Sequence, residues 1–336
     1  MSRVSGGQLA ALLLITDAFA LLCLMGNASA AAACGFLTGV VLQFFLALPA
    51  AYYYKNGGTL KDAPKAFAWY YLIYLIWWGG MILVMLWNVS GDLSIPAENF
   101  SFIPEKLLIS GSIALTCLYV SSPGIKALSR SAVITAAVGA VFLAVVIISS
   151  FIHGKIGYLT DISGSDGFFG ELGRGFVLSG GLGSFIVLLG FTRGNPVKCT
   201  LGYFIGKAVL FTAVPLAAAA VAGGVMEITE FPVIFAAELS QPFSSQRIDS
   251  LFLIIFVIMA VFAISLQTAA ASYLISLIFP SFRKLRSTLA LVLMIGDAFL
   301  MHEIYQYSSV YVTAVLAAVI AVPLLMILSR KRERRS

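Results

Sequence analysis

The chain has 336 residues, 60% of them hydrophobic and 11% charged, with a formal net charge of +6. Soluble domains carry roughly 25% charged residues, and so little polar surface cannot cover a soluble core of this size. The composition therefore excludes an ordinary soluble domain and identifies an integral membrane protein whose surplus apolar faces are solvated by lipid.

A helical span needs about 20 mostly apolar residues, whereas a barrel strand would show as alternating segments of about 10. The apolar runs are long and unbroken, so the class is all-α. About ten spans are readable, near 8–26, 31–54, 66–88, 106–121, 132–153, 176–193, 201–224, 250–278, 287–304 and 307–329. With the N-terminus inside, the cytoplasmic segments hold Arg3, Lys55, Lys61, Lys65, Lys126, Arg130, Arg193, Lys198, Lys207, Arg283, Lys284, Arg286 and the five basic residues of the tail. That is 17 of the 21 Lys and Arg, against 11 of the 15 acids outside. The positive-inside rule then puts both termini in the cytoplasm. The tail 330–336, "RKRERRS", reads as a topology anchor near anionic lipid rather than a nucleic-acid contact.

Span one contains "LLLITDAFALL", with Asp17 at its centre. A charge at bilayer depth costs at least ~2.5–3.5 kcal/mol, so it needs a partner, a wet cavity or a role. Two readings of Asp17 stand: it pairs with a substrate ammonium or carries a proton, or it is a protonated carboxyl donating to a neighbouring helix. The small residues that follow, "ASAAAAC", imitate a cleavage site, but the segment before them has one charge and an aspartate in its apolar stretch. This reads as an uncleaved first helix. Cys23, Cys34, Cys117 and Cys199 fall in spans or on the inner side and imply no disulfide framework.

Span three carries Trp69, Tyr70, Tyr71, Tyr74, Trp77, Trp78 and Trp87. Trp69, Tyr70 and Trp87 suit the interfacial aromatic belts. Tyr74, Trp77 and Trp78 lie deeper and either line a pocket or serve packing.

Ten spans with both ends inside divide into two sets of five, and because five is odd the second set runs through the membrane in the opposite sense. The repeats are about 8–153 and about 176–329, within one polytopic domain 1–329. Span six, the counterpart of span one, reads "FVLSGGLGSFIVLLGF". Its three central glycines each weaken a helix by about 1 kcal/mol relative to alanine, so its centre is expected to be unwound and to line a cavity. The competing reading is close helix packing on Gly180, Gly181 and Gly183. The loop "MEITEFPVIFAAELSQPFSSQRIDS" after span seven predicts a short helix from Pro232, lying over the outer face either as a lid or as a passive connector.

Span eight places Gln267 and Thr268 where they reach the same cavity or hold helices together. Asp297 of span nine, with His302 and Glu303 within two turns, either joins an outer polar cluster or has a functional role of its own. The two histidines are far apart, no GxxxxGK[ST] loop occurs, and no catalytic or metal-ligating set is legible. The chain reads as a non-enzyme without a cofactor.

Three stretches carry a family resemblance: "YVSSPGIKALSRSAVI" with Gly124 and Arg130, "SSQRIDSLFLIIFVI" with Arg247 and Asp249, and "SGGQLAALLL" with Gln8. On these the chain resembles the permease-like B subunit of the nutrient-germinant receptors of endospore-forming bacteria, a branch of the amino acid–polyamine–organocation transporter superfamily. The resemblance implies a LeuT-like five-plus-five inverted repeat with helices 1 and 6 broken. It also implies an amino acid-like nutrient bound between spans one, three, six and eight, for which the candidate residues are Asp17, Ala18, Tyr74, Ser179, Gly180, Gly181, Gly183, Ser184, Gln267 and Thr268. Its implied setting is the spore inner membrane or the bacterial cytoplasmic membrane, with a receptor A subunit and a C lipoprotein as partners. A proton-coupled amino acid transporter is the rival expectation.

Overall fold

Helix starts in this chain are written in polar caps ahead of apolar runs. Ser5 caps the first helix: its hydroxyl accepts from the Gln8 N–H while the Gln8 side chain accepts from the Ser5 N–H, a capping box. Ser29 caps the second through the Ala32 N–H, and Asn195 caps the eighth through the Val197 N–H, with Pro196 in the first helical position. Gly124, at φ +86, makes the turn that opens the fifth helix in a conformation side-chain-bearing residues rarely adopt.

The computed structural model describes residues 4–23, 28–61, 65–93, 105–160, 167–178, 180–223, 231–240, 248–282 and 285–304. In chain order the elements are β1 (Val4–Ser5), α1 (Gly6–Leu22), α2 (Ala30–Lys55), α3 (Lys65–Leu93), α4 (Glu105–Ser121) and α5 (Ile125–His153). They continue with α6 (Gly167–Leu178), α7 (Leu182–Leu189), β2 (Thr192–Arg193), α8 (Pro196–Ala222), α9 (Pro232–Ser240), α10 (Ile248–Ile278) and α11 (Arg286–Ile304). Two short 3-10 turns, Ile156–Thr160 and Pro280–Phe282, complete the set. Among the described residues, five helices are long and apolar enough to cross a bilayer, including α2, α5 and α8, with α1 a shorter apolar helix. The fold is all-α and multi-pass. Predicted span ten, 307–329, lies outside the described residues, as do the boundaries it would give the second repeat.

α3 and α10 are mostly buried, while α5 turns Ile134, Val138, Val141, Ile148 and Ile152 outward. An outward face of aliphatic side chains on an already apolar helix belongs in lipid. α2 packs most extensively on α8, and α3 on α10. In the predicted order of spans, α2 and α8 hold the second place, and α3 and α10 the third, of their sets of five. The predicted loop helix is present as α9, with Phe231, Val233, Ile234 and Ala237 buried against α8 and α5.

Two expectations are corrected here. Helix 1 is continuous: α1 runs unbroken through Asp17, because Leu9 to Leu22 holds neither glycine nor proline and every residue there sustains a helix. Helix 6 is interrupted, with α6 ending at Leu178 and α7 beginning at Leu182. The second correction is Lys207, assigned above to a cytoplasmic segment but fully buried in the middle of α8. The helix begins at Pro196, five residues before the predicted start, so Lys207 lies eleven residues in.

α1 and α8 run side by side in the same direction. Gly6 abuts Cys199, Gly206 gives room to Leu14, and Asp17 meets Lys207. Their starting ends are tied through β1 and β2, which pair in parallel with Val4 opposite Thr192 and Ser5 opposite Arg193; the Val4 N–H also donates to the Phe191 carbonyl at 3.0 Å. The segment leaving α7 is thereby joined to the start of α1.

Candidate functional site

Glycine removes the side chain that would otherwise keep the aromatic face of α3 away from the α6–α7 interruption. A Cβ at Gly180 would run into the Trp78 ring, and one at Gly183 into the Tyr74 ring. The close approach lets the Tyr74 hydroxyl donate to the Gly180 carbonyl at 2.8 Å. A carbonyl freed by a helix break cannot be satisfied by lipid, so Tyr74 supplies the partner that the missing helical turn does not. Both glycine readings hold at once: the residues permit close packing, and they do so at a break.

Asp17 lies on the other side of this segment. A Cβ at Gly181 would sit 3.4 Å from Asp17 Oδ1 and 3.9 Å from the Tyr203 hydroxyl, ordinary contact distances. Both carboxylate oxygens of Asp17 are engaged. Lys207 Nζ lies 3.1 Å from Oδ1, and the Tyr203 hydroxyl donates to Oδ2 at 2.6 Å while accepting from Lys207 Nζ at 3.2 Å. The triangle is closed to solvent, with Asp17 at 1% and Lys207 at 0% exposure.

Asp17 and Lys207 each stand eleven residues from the start of their helices, about 16 Å at the helical rise and close to the middle of a ~30 Å hydrocarbon core. Charges at that depth persist when they are paired and hydrogen-bonded. The Lys207 ammonium is further held over the rings of Tyr203 and Phe211, 5.4 Å from each centroid, and Tyr203 stacks on Phe185 of α7 with centroids 5.0 Å apart. The pair is thus built into the wall of the interruption.

The remaining sequence-predicted residues divide. Ser184, on α7, donates to Gln267 Oε1 of α10, which brings both to the interruption. The Gln267 Nε2 group and the Trp78 indole N–H are both buried without a hydrogen-bond partner among the described residues. Thr268 turns away: its hydroxyl donates to the Ile264 carbonyl and lies 3.9 Å from Met294 Sδ of α11. Ala18 instead lines a small apolar cavity of about 30 Å³ between α1, α5, α8, α9 and α10. Neither belongs with the others. Ser179 lies outside the described residues. Asp297 faces α3, where its Oδ2 is buried against Gly80 without a partner among the described residues, and the side chains of His302 and Glu303 are outside the described residues.

Sequence reading missed Tyr203 and Lys207. The signal was available in "NPVKCTLGYFIGK": an Asn-Pro helix start at 195–196 places Lys207 well inside the span, with Tyr203 one turn earlier on the same face. Among the described residues no group of three or more His, Cys, Asp or Glu could hold a metal ion.

No protein-family model matches the sequence, and no curated protein matches it. Among solved structures, the chain is similar to Mhp1, a nucleobase-cation-symport-1 family transporter in a closed conformation with bromovinylhydantoin bound. The identity is 15% and the TM-score 0.58, over 97% of this chain and 78% of that one. The likeness establishes the fold, an all-α membrane fold that this chain shares with that structure.

Proposed function

We propose that this chain is a solute-binding membrane protein of transporter type, which holds a small nutrient of amino acid type at the bilayer midplane beside the α6–α7 interruption. The observation that carries this reading is the meeting at one depth of a broken helix, a buried Asp17–Tyr203–Lys207 triangle and the paired Ser184 and Gln267. Broken helices are tolerated in lipid where they line a cavity, and in transporters of inverted-repeat design such breaks are where solutes bind. The binding residues in this reading are Asp17, Tyr74, Gly180, Gly181, Gly183, Ser184 and Gln267, with Ser179 in the same segment.

The finer role we propose, on the resemblance of Tyr119–Ile134, Ser244–Ile258 and Ser5–Leu14, is germinant sensing in the spore inner membrane. Solute binding biases the equilibrium between open and occluded states by its differential affinity for them, and A and C receptor subunits read the shift. In this proposal both termini are cytoplasmic, and the two repeats span about 8–153 and 176–329.

A second reading is a proton-coupled secondary transporter. The Asp17–Lys207 pair favours it, since a proton moved from the ammonium to the carboxylate would leave two neutral groups at a depth where charge is costly.

Reconstitution in proteoliposomes separates the two. Accumulation of L-alanine that follows an imposed pH gradient, and that is lost in Asp17→Asn, assigns transport. Absence of accumulation, together with co-purification of A and C subunits and a germination defect in spores lacking the chain, assigns sensing.

A further inference from the structure

Gln267 and Trp78 are buried donors that find no acceptor among the described residues. Ser184 donates to the oxygen of the Gln267 amide, and the Nε2 hydrogens then have no acceptor among the described residues; the side chain is 0% exposed. The Trp78 indole N–H is likewise unpartnered among the described residues, and its side chain is 0% exposed. Leaving a donor buried and unmet costs stability. Both side chains lie along the same five-residue stretch, Trp78 against Gly180 and Gln267 against Ser184. On the other side of that stretch the situation is reversed: the Asp17 carboxylate has both oxygens matched by Lys207 and Tyr203.

Resting on the midplane site proposed above, we infer that its solute presents a carbonyl- or carboxylate-type oxygen to Gln267 and Trp78 and carries no net positive charge. Oxygen acceptors on the solute would give these donors the partners that none of the described residues supplies. A cationic solute would compete with the tethered ammonium of Lys207 for a carboxylate already neutralised, while the two donors stayed unmet. The class therefore includes neutral amides and imides and zwitterionic amino acids, and excludes polyamines.

Thermal unfolding of the full chain in lipid nanodiscs tests this, with hydantoin, L-alanine and putrescine as probes. The expected result is that hydantoin or L-alanine raises the unfolding midpoint and putrescine does not. Gln267→Glu keeps an acceptor for Ser184 but removes the donor, and is expected to weaken the binding probe about tenfold or more. Trp78→Phe keeps the ring and removes the N–H, and carries the same test should Gln267→Glu not fold. Unchanged probe affinity in both variants overturns the inference and leaves the site standing. Stabilisation by putrescine alone also overturns it. No shift with any probe on the wild-type chain overturns the midplane site and the inference together.

Discussion

The Tyr74 hydroxyl of α3 reaches the Gly180 carbonyl at 2.8 Å, closing a hydrogen bond that the α6–α7 interruption leaves open. The bond is possible because Gly183 has no side chain to hold the Tyr74 ring away. Tyr74→Phe keeps the ring and removes the donor, so the carbonyl is left unmet in a dry setting. Destabilisation of about 1–3 kcal/mol is expected, read as a lower unfolding midpoint in nanodiscs. An unchanged midpoint would mean that the carbonyl has another partner.

The charge pair makes a sharper prediction, because removing one member of a buried pair costs more than removing both. Lys207→Met strands the Asp17 carboxylate at membrane depth, with an expected loss of about 3–5 kcal/mol. The double variant Asp17→Asn, Lys207→Met is expected to recover most of that loss. A double-mutant cycle in equilibrium unfolding measures the coupling; strictly additive losses would show that the two side chains act independently.

The three glycines of the interruption separate by what stands over them. Gly181→Ala meets only ordinary contacts with Asp17 and Tyr203, whereas Gly180→Ala and Gly183→Ala drive a methyl into the Trp78 and Tyr74 rings. Overpacking of this kind costs typically about 1–3 kcal/mol. Expression yield and thermal midpoint are expected to be near wild type for Gly181→Ala and lowered for the other two. The reverse order would contradict the packing described.

How much of this was legible beforehand follows from how each feature is encoded. The spans announce themselves by length and apolarity, and the break in span six by Gly180, Gly181 and Gly183, because helix weakening is a local property of residue type. The continuity of α1 was equally local, since Leu9–Leu22 contains no breaker; expecting a break there came from likeness, which the residues did not support. Lys207 was misplaced for a different reason. A lysine six residues from an assumed helix start reads as a side chain reaching the interface, and only the Asn195 cap and Pro196 move that start far enough to bury it. The partnership of Asp17 with Tyr203 and Lys207 joins residues 186 and more apart in sequence, so no pattern within either helix specifies it. Thr268, adjacent to Gln267, was grouped with it by sequence, yet consecutive helical residues point about 100° apart, and it faces Met294 instead.

The strand pair joining the start of α1 to the segment after α7 can be trapped. Val4 and Thr192 are Cα partners in neighbouring strands, and a strand spacing of about 4.8 Å falls within disulfide range. In a chain whose four native cysteines are replaced, Val4→Cys with Thr192→Cys is expected to form a cross-link on mild oxidation, seen as protection of both thiols from alkylation. Free thiols at both positions after oxidation would mean that β1 and β2 are not held together.

The most direct test of the midplane site uses Gly181, the glycine of the interruption with room for a small side chain. In the cysteine-replaced background, the rate at which Gly181→Cys is modified by a membrane-permeant maleimide is measured with and without saturating L-alanine or hydantoin. Occupancy beside the interruption is expected to slow modification several-fold, with no change at a lipid-facing control such as Ile134→Cys. Equal rates at Gly181→Cys with and without either solute, in protein shown to bind it, would place the solute elsewhere and contradict the site.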